Sequence, residues 1–151
     1  MHERPRTYAL TRAQAEAWLD TRDTTRARRA GAHDLALVDE LHSAEFPATY
    51  ATARHLVEDP NRFTFVVERD GAPIGYASGH LTAGGAGHLD YMAITPRARG
   101  VGDGSVLLAA AVRALFEQAR VDELRLFVEE HRTPAIQFYE AHGFTRVLPT
   151  D

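Results

Sequence analysis

Apolar residues recur every three to four positions in five places along the chain. In "TRAQAEAWLD" Ala15, Trp18 and Leu19 form a short stripe behind a capping box of Thr11 and Gln14. Leu35, Val38 and Leu41 share one face of a second predicted helix, and "ATARHLVED", closed by Pro60, reads as a third. "SVLLAAAVRALFEQAR" is the strongest of the set, with Leu108, Val112, Leu115 and Ala119 at helical spacing. In "TPAIQFYEAHGF" the spacing predicts Thr133 as N-cap, Pro134 at the first helical position and Gly143 just past the end.

Elsewhere the pattern follows strands. "RFTFVVERDGAPIGYASGHLTAGGAGHLDYMAITP" reads as three consecutive antiparallel strands, reversed at Asp70-Gly71 and again at the glycine-rich "TAGGAG". A second turn centred on Gly84 would set His80 opposite His88. "DELRLFVEE" predicts a further strand, a short one precedes the Leu35 helix, and "RPRTYAL" can run extended. With no repeat or linker, the expectation is one α+β domain over 1–151. It has an extension at 1–24, helical after its extended start, and a core at 25–151.

Composition narrows the chemistry. The chain has no cysteine, which removes disulfides, thiolate metal sites and a cysteine nucleophile. All 17 basic residues are arginine, so a lysine Schiff base is excluded as well. A net charge of −4 argues against a surface that coats nucleic acid. The sequence shows no apolar run of transmembrane length and no signal-peptide order at its start, so a cytoplasmic protein with no membrane partner is expected.

The stretch "TPRARGVGDGS" between a strand and the strong helix is the first candidate site. Its glycines permit close approach of a ligand, and the helix start behind it favours phosphate oxygens. A Walker loop fails for want of lysine, and a dinucleotide fingerprint belongs to a parallel unit rather than an antiparallel meander. A turn with no ligand stays open on these residues alone. However, Arg99-x-x-Gly102-x-Gly104 together with Ala135, Ile136, Tyr139, Glu140, Gly143 and Phe144 resembles the motifs of the GNAT superfamily of acetyl-CoA-dependent N-acetyltransferases. The resemblance spans about Arg26 to Phe144.

The resemblance implies a mixed, mainly antiparallel sheet with helices on both faces. It further implies that Arg99, Gly100, Val101, Gly102, Asp103, Gly104 and Ser105 form a loop holding the coenzyme A pyrophosphate. Met92, Ala93 and Ile94 would run beside the pantetheine arm, with Arg132 and Tyr139 also next to the coenzyme. Acetyl-CoA is then the co-substrate, no metal is expected, and the acceptor is an amine on a small molecule or a protein. Tyr139 matches the family's general acid, although a packed aromatic is the plain alternative. His88 and Asp90, two apart on one strand and so on one face, are candidates for the base. Asp90 could instead bind a cationic substrate or pair with an arginine, and Glu45 falls where the acceptor groove is usually lined.

Three positions depart from the family pattern. Arg132 stands where an asparagine is frequent. Asp103 puts a carboxylate between two loop glycines, where it would repel pyrophosphate unless it caps the helix with its charge turned to solvent. Only "TRVLPTD" follows Phe144, a shortened C-terminus that leaves no room for a final strand. Either "RPRTYAL" or a second copy of the chain, in a homodimer, is expected to cover that edge.

Overall fold

The computed structural model describes residues 5–19, 24–82, 84–98, 102–119 and 121–148. In chain order the elements are β1 (Pro5–Thr11), α1 (Arg12–Leu19), β2 (Ala27–Arg29), α2 (Leu35–Glu45), α3 (Ala53–Glu58), β3 (Arg62–Arg69) and β4 (Ala72–Leu81). They continue with β5 (Gly87–Ile94), α4 (Asp103–Ala119), β6 (Glu123–Glu129), α5 (Thr133–Ala141) and β7 (Thr145–Val147). Among the described residues the strands form one seven-stranded sheet in the order β2-β3-β4-β5-β6-β1-β7. Every neighbouring pair is antiparallel except β5 with β6. This is the α+β architecture expected from the sequence.

Both faces are covered, and the strands show it: Val66 and Val67, adjacent on β3 and so on opposite faces, are both fully buried. On one face Leu108, Val112 and Leu115 of α4 pack with Tyr8, Leu10, Leu124 and Ile136. Burying each such leucine contributes about 1.5–3 kcal/mol. On the other face Val38 and Leu41 of α2 and Leu56 of α3 meet Val66 and Tyr76.

The local signals act where they were expected. Thr11 and Gln14 exchange hydrogen bonds at 2.8 and 3.2 Å. Asp70 and Gly71 both take positive φ, 54° and 78°, as the two-residue turn requires. His80 pairs with His88 in register. Helix α5 ends in a left-handed Gly143 (φ 89°) with the Phe144 N–H on the Tyr139 carbonyl. Its start differs from expectation: Thr133 is the first helical residue and Arg132 the N-cap, with no side-chain cap bond, because Pro134 at the next position already fixes the entry.

The far edge of the sheet needs a correction. There is room for a final strand, the three-residue β7, and it does not pair with β6. β1 lies between them, its seven residues matched to β6 and its Thr7, Ala9 and neighbours to β7. The N-terminal segment thus supplies the strand that the sequence pattern left missing. Tyr8 and Leu10 are fully buried there, and the Tyr8 hydroxyl reaches Glu140 of α5 at 3.0 Å.

Candidate active site

Two departures from regular pairing open the sheet beside β5. Ser78 pairs with Tyr91 and Gly79 with Leu89, so Asp90 is an extra residue, a bulge that bends the strand. Gly79 permits the tight approach beside it, since a Cβ there would lie 2.7 Å from the His88 carbonyl oxygen. On its other side β5 pairs with β6 only at Gly87–Leu124 and His88–Arg125. Met92, Ala93 and Ile94 therefore run past the point where the parallel strands part.

Cavities flank this opening on both sides. One, ≈ 610 Å³, lies between Met92–Ile94, the start of α4 at Gly102, Gly104 and Ser105, and Ala135 and Phe138 of α5. The other, ≈ 600 Å³, is walled by Phe46–Thr49, Asp90, Tyr91, Phe127 and Glu129. Glu45, Met92, Arg132, Ala135 and Tyr139 line both, so the two spaces meet at these residues.

Tyr139 stands at that junction. Burial pushes its phenol up to about 12, against a weaker downward pull from Arg132, and among the described residues no hydrogen bond engages its hydroxyl. It is protonated, and free to donate, at any ordinary pH. Arg132 gives one guanidinium nitrogen to the Glu45 carboxylate at 3.0 Å and another to the Glu45 carbonyl at 2.9 Å, and stacks over Phe46. The residue standing in for a family asparagine thus ties the end of α2 to the start of α5.

His88 and Asp90 do share a face, and they belong to a larger cluster. His88 Nδ1 lies 2.9 Å from Asp90 Oδ1, while His80 Nδ1 and Arg62 Nη1 lie 2.5 and 2.9 Å from Oδ2. Burial pushes the Asp90 carboxyl up, but hydrogen bonds and charge from His80 and His88 outweigh it and hold it at about 2. An ionised carboxylate only accepts, so both imidazoles present Nδ1–H to it. His88 Nε2 is buried and, among the described residues, has no hydrogen-bond partner. Asp90 lines the second cavity; His88 does not. These three residues are also the one group of potential metal ligands among the described residues, their ligand atoms all within 4.8 Å, with Arg62 already on the carboxylate.

Arg99, Gly100 and Val101 lie outside the described residues. Of the remaining loop positions, Gly102, Gly104 and Ser105 face the first cavity. The expectation that Asp103 turns its charge to solvent is wrong: its side chain is fully buried. Arg69 meets it at 3.0 and 2.9 Å, and Arg26 Nη2 at 2.5 Å. An inward carboxylate at a helix start keeps its charge only against cations, and two arginines supply them. Asp103 does not line the cavity.

Two residues of the site carried no expectation. His142 links Ser105 to α5: its Nδ1 donates to the Phe138 carbonyl at 2.7 Å, and its Nε2 is hydrogen-bonded to the Ser105 hydroxyl at 2.8 Å. His42, buried, likewise donates Nε2–H to the Ala51 carbonyl at 2.7 Å and accepts from Tyr76 at 2.6 Å, where burial raises the Tyr76 phenol well above its ordinary value. With a Tyr91–Thr49 hydroxyl bond it fixes the loop that walls the second cavity. Its spacing of four from Val38 was the available signal.

Residues 34–144 match the model of the Acetyltransferase (GNAT) family, and the chain belongs to that family as an acyltransferase. It is 29% identical over 136 residues to an N-alpha-acetyltransferase of Sulfurisphaera tokodaii, covering 81% of each chain. It is 35% identical over 94 residues to a mycothiol acetyltransferase of Thermobispora bispora, covering 58% of this chain and 31% of that one. The solved structure of AAC(6')-Iy in complex with the bisubstrate analog CoA-S-monomethyl-acetylneamine shares its fold, with a TM-score of 0.67 at 18% identity over 83% of this chain and 95% of that one.

Proposed function

We propose that this chain moves an acetyl group from acetyl-CoA directly to a primary amine of a small molecule or a protein. The observation that carries the reading is the junction: two cavities of similar size share Tyr139, Met92 and Ala135 as common wall. A group delivered along one can be handed to a nucleophile in the other.

The residues present fit the coenzyme. Met92, Ala93 and Ile94 offer an apolar, strand-edge wall suited to the pantetheine arm. The first turn of α4 presents backbone N–H groups with no intrahelical partner to its pyrophosphate. Gly104 keeps that end open, because a Cβ would come within 3.3 Å of Ile94 and Phe138. When bound, acetyl-CoA supplies a thioester carbonyl as the electrophile.

Each remaining demand falls to a side chain. Tyr139 gives its phenolic proton to the departing sulfur. His88, its ring oriented by Asp90, is the candidate to take the proton of the incoming amine, a role that requires its buried Nε2 to become reachable from the second cavity. Asp90 holds a charge at every working pH and acts by orienting His88 rather than as the base. The relatives named N-alpha-acetyltransferase and mycothiol acetyltransferase suggest an α-amine and an amine related to mycothiol as the classes to try first.

Thermal shift with acetyl-CoA, followed by thiol release over a panel of amines, tests the reading. A shift with release against at least one amine is the expected result. No shift overturns it, and a shift without release favours a catalytically silent acyl-CoA-binding module. Tyr139→Phe is expected to lower kcat at least about tenfold while acetyl-CoA affinity is kept, the size typical of losing a general acid. Unchanged kcat removes that role.

A further inference from the structure

Asp103, Arg26 and Arg69 come from three elements that are far apart in sequence. Arg26 immediately precedes β2, Arg69 is the last residue of β3, and Asp103 is the first of α4. The Asp103 side chain has no exposure, while each arginine is 43% exposed, so the carboxylate is enclosed and the cations approach it from the rim. Arg69 grips one oxygen through Nε and Nη2 at 3.0 and 2.9 Å, and Arg26 Nη2 sits 2.5 Å from the other. Arg26 is itself fixed, because its carbonyl accepts from the Glu68 N–H at 3.0 Å and its Nη1 reaches the Glu68 carbonyl at 3.3 Å.

The neighbours of Asp103 face the opposite way. Gly102, at φ 88°, and Gly104 both line the cavity beside Ile94, and neither has a side chain that could anchor the turn. A segment built from such glycines gains ligand access at the expense of order. Asp103 is the side chain in that run which ties it to the sheet.

We propose that Asp103 is a positioning residue for coenzyme binding: clamped by Arg26 and Arg69, it fixes the glycine-bearing start of α4 at the depth where its N–H groups meet phosphate. The proposal rests on the acetyl-CoA reading above. It reverses the sense of the sequence anomaly, because the carboxylate is held on the side of the helix start away from the cavity. There it draws two guanidiniums to the base of the loop instead of repelling the coenzyme.

The test uses the whole chain and acetyl-CoA as probe, with the dissociation constant read by titration calorimetry and the melting midpoint of the free protein read separately. Arg26→Gln and Arg69→Gln change partly exposed side chains, so they keep the proposal testable if Asp103→Asn does not fold. Each is expected to raise Kd for acetyl-CoA by about tenfold or more, the scale of a misplaced binding loop, measured at a temperature where the free variant, its midpoint lowered by the loss of one cation from a buried carboxylate, is still fully folded. Arg69→Lys, which keeps the charge, is expected to lie closer to wild type than Arg69→Gln. An unchanged Kd in both glutamine variants overturns the clamp, as does a Kd that rises only in step with a loss of fold. If wild type itself fails to bind acetyl-CoA, the functional reading falls first and the clamp with it; if wild type and variants bind alike, the clamp alone falls.

Discussion

At the scale of single residues, the site divides protons between groups that differ by about ten pK units. Tyr139 is held at about 12 and Asp90 at about 2, so neither changes state near neutrality. His88→Ala is expected to lower kcat/KM and to abolish or displace the acidic limb of its pH profile. A profile of unaltered shape would place the base elsewhere. Asp90 makes a stability prediction of known sign. Its folded-state value lies below the ordinary ~3.9, so ionised Asp90 stabilises the fold above pH ~4, and that contribution is lost as pH falls toward 2. Denaturant unfolding should find Asp90→Asn less stable than wild type by about 2 kcal/mol at pH 7, with the gap shrinking steadily from pH 5 to pH 3. A gap that stays constant over that range contradicts the assignment.

What the sequence revealed at this scale was local. The Thr11–Gln14 box and the Asp70-Gly71 turn need only neighbours, and both formed as read. The partners of Asp103 and Arg132 lie 77, 34 and 87 positions away, in Arg26, Arg69 and Glu45. Nothing in a linear pattern says which of seventeen arginines a given carboxylate will meet. The linear pattern therefore predicts a solvent-facing cap where the structure has a buried ion pair.

At the scale of elements, periodicity found the five α-helices of the described residues and most strands, because each buries a stripe or a face against a layer. It missed the position of β1, whose alternation is compatible with many places in a sheet. The structure puts β1 in the interior, where Leu10 is fully enclosed in the same cluster as Leu124 and Leu126. Leu10→Ala is expected to cost about 2–5 kcal/mol in chemical denaturation. A loss below 1 kcal/mol would mean that β1 is only loosely attached. The same argument covers α1, whose Arg12 guanidinium donates to the Phe116 and Val121 carbonyls at 2.9 and 2.7 Å, closing the end of α4.

At the scale of the molecule, the layered α+β plan followed from the order of patterns, whereas the parting of β5 and β6 did not. That opening arises from a bulge and a two-residue parallel contact, neither of which has a sequence signature beyond its glycine. The two spaces it creates belong to one folded state, so acetyl-CoA should stabilise the whole chain. At a hundredfold excess over Kd the gain is about 2.7 kcal/mol, and for a chain of this length the midpoint should rise by roughly 5–10 °C. A rise that does not grow with acetyl-CoA concentration would point to a cause other than binding.

The place of β1 also bears on how the molecule is made. Its residues 5–11 are synthesised well before their two neighbours in the sheet, residues 123–129 and 145–147. Until both have left the ribosome, Tyr8 and Leu10 have no interior to enter. β1 therefore waits for segments far along the chain before its place in the sheet exists, which makes the closing of this sheet its most non-local step.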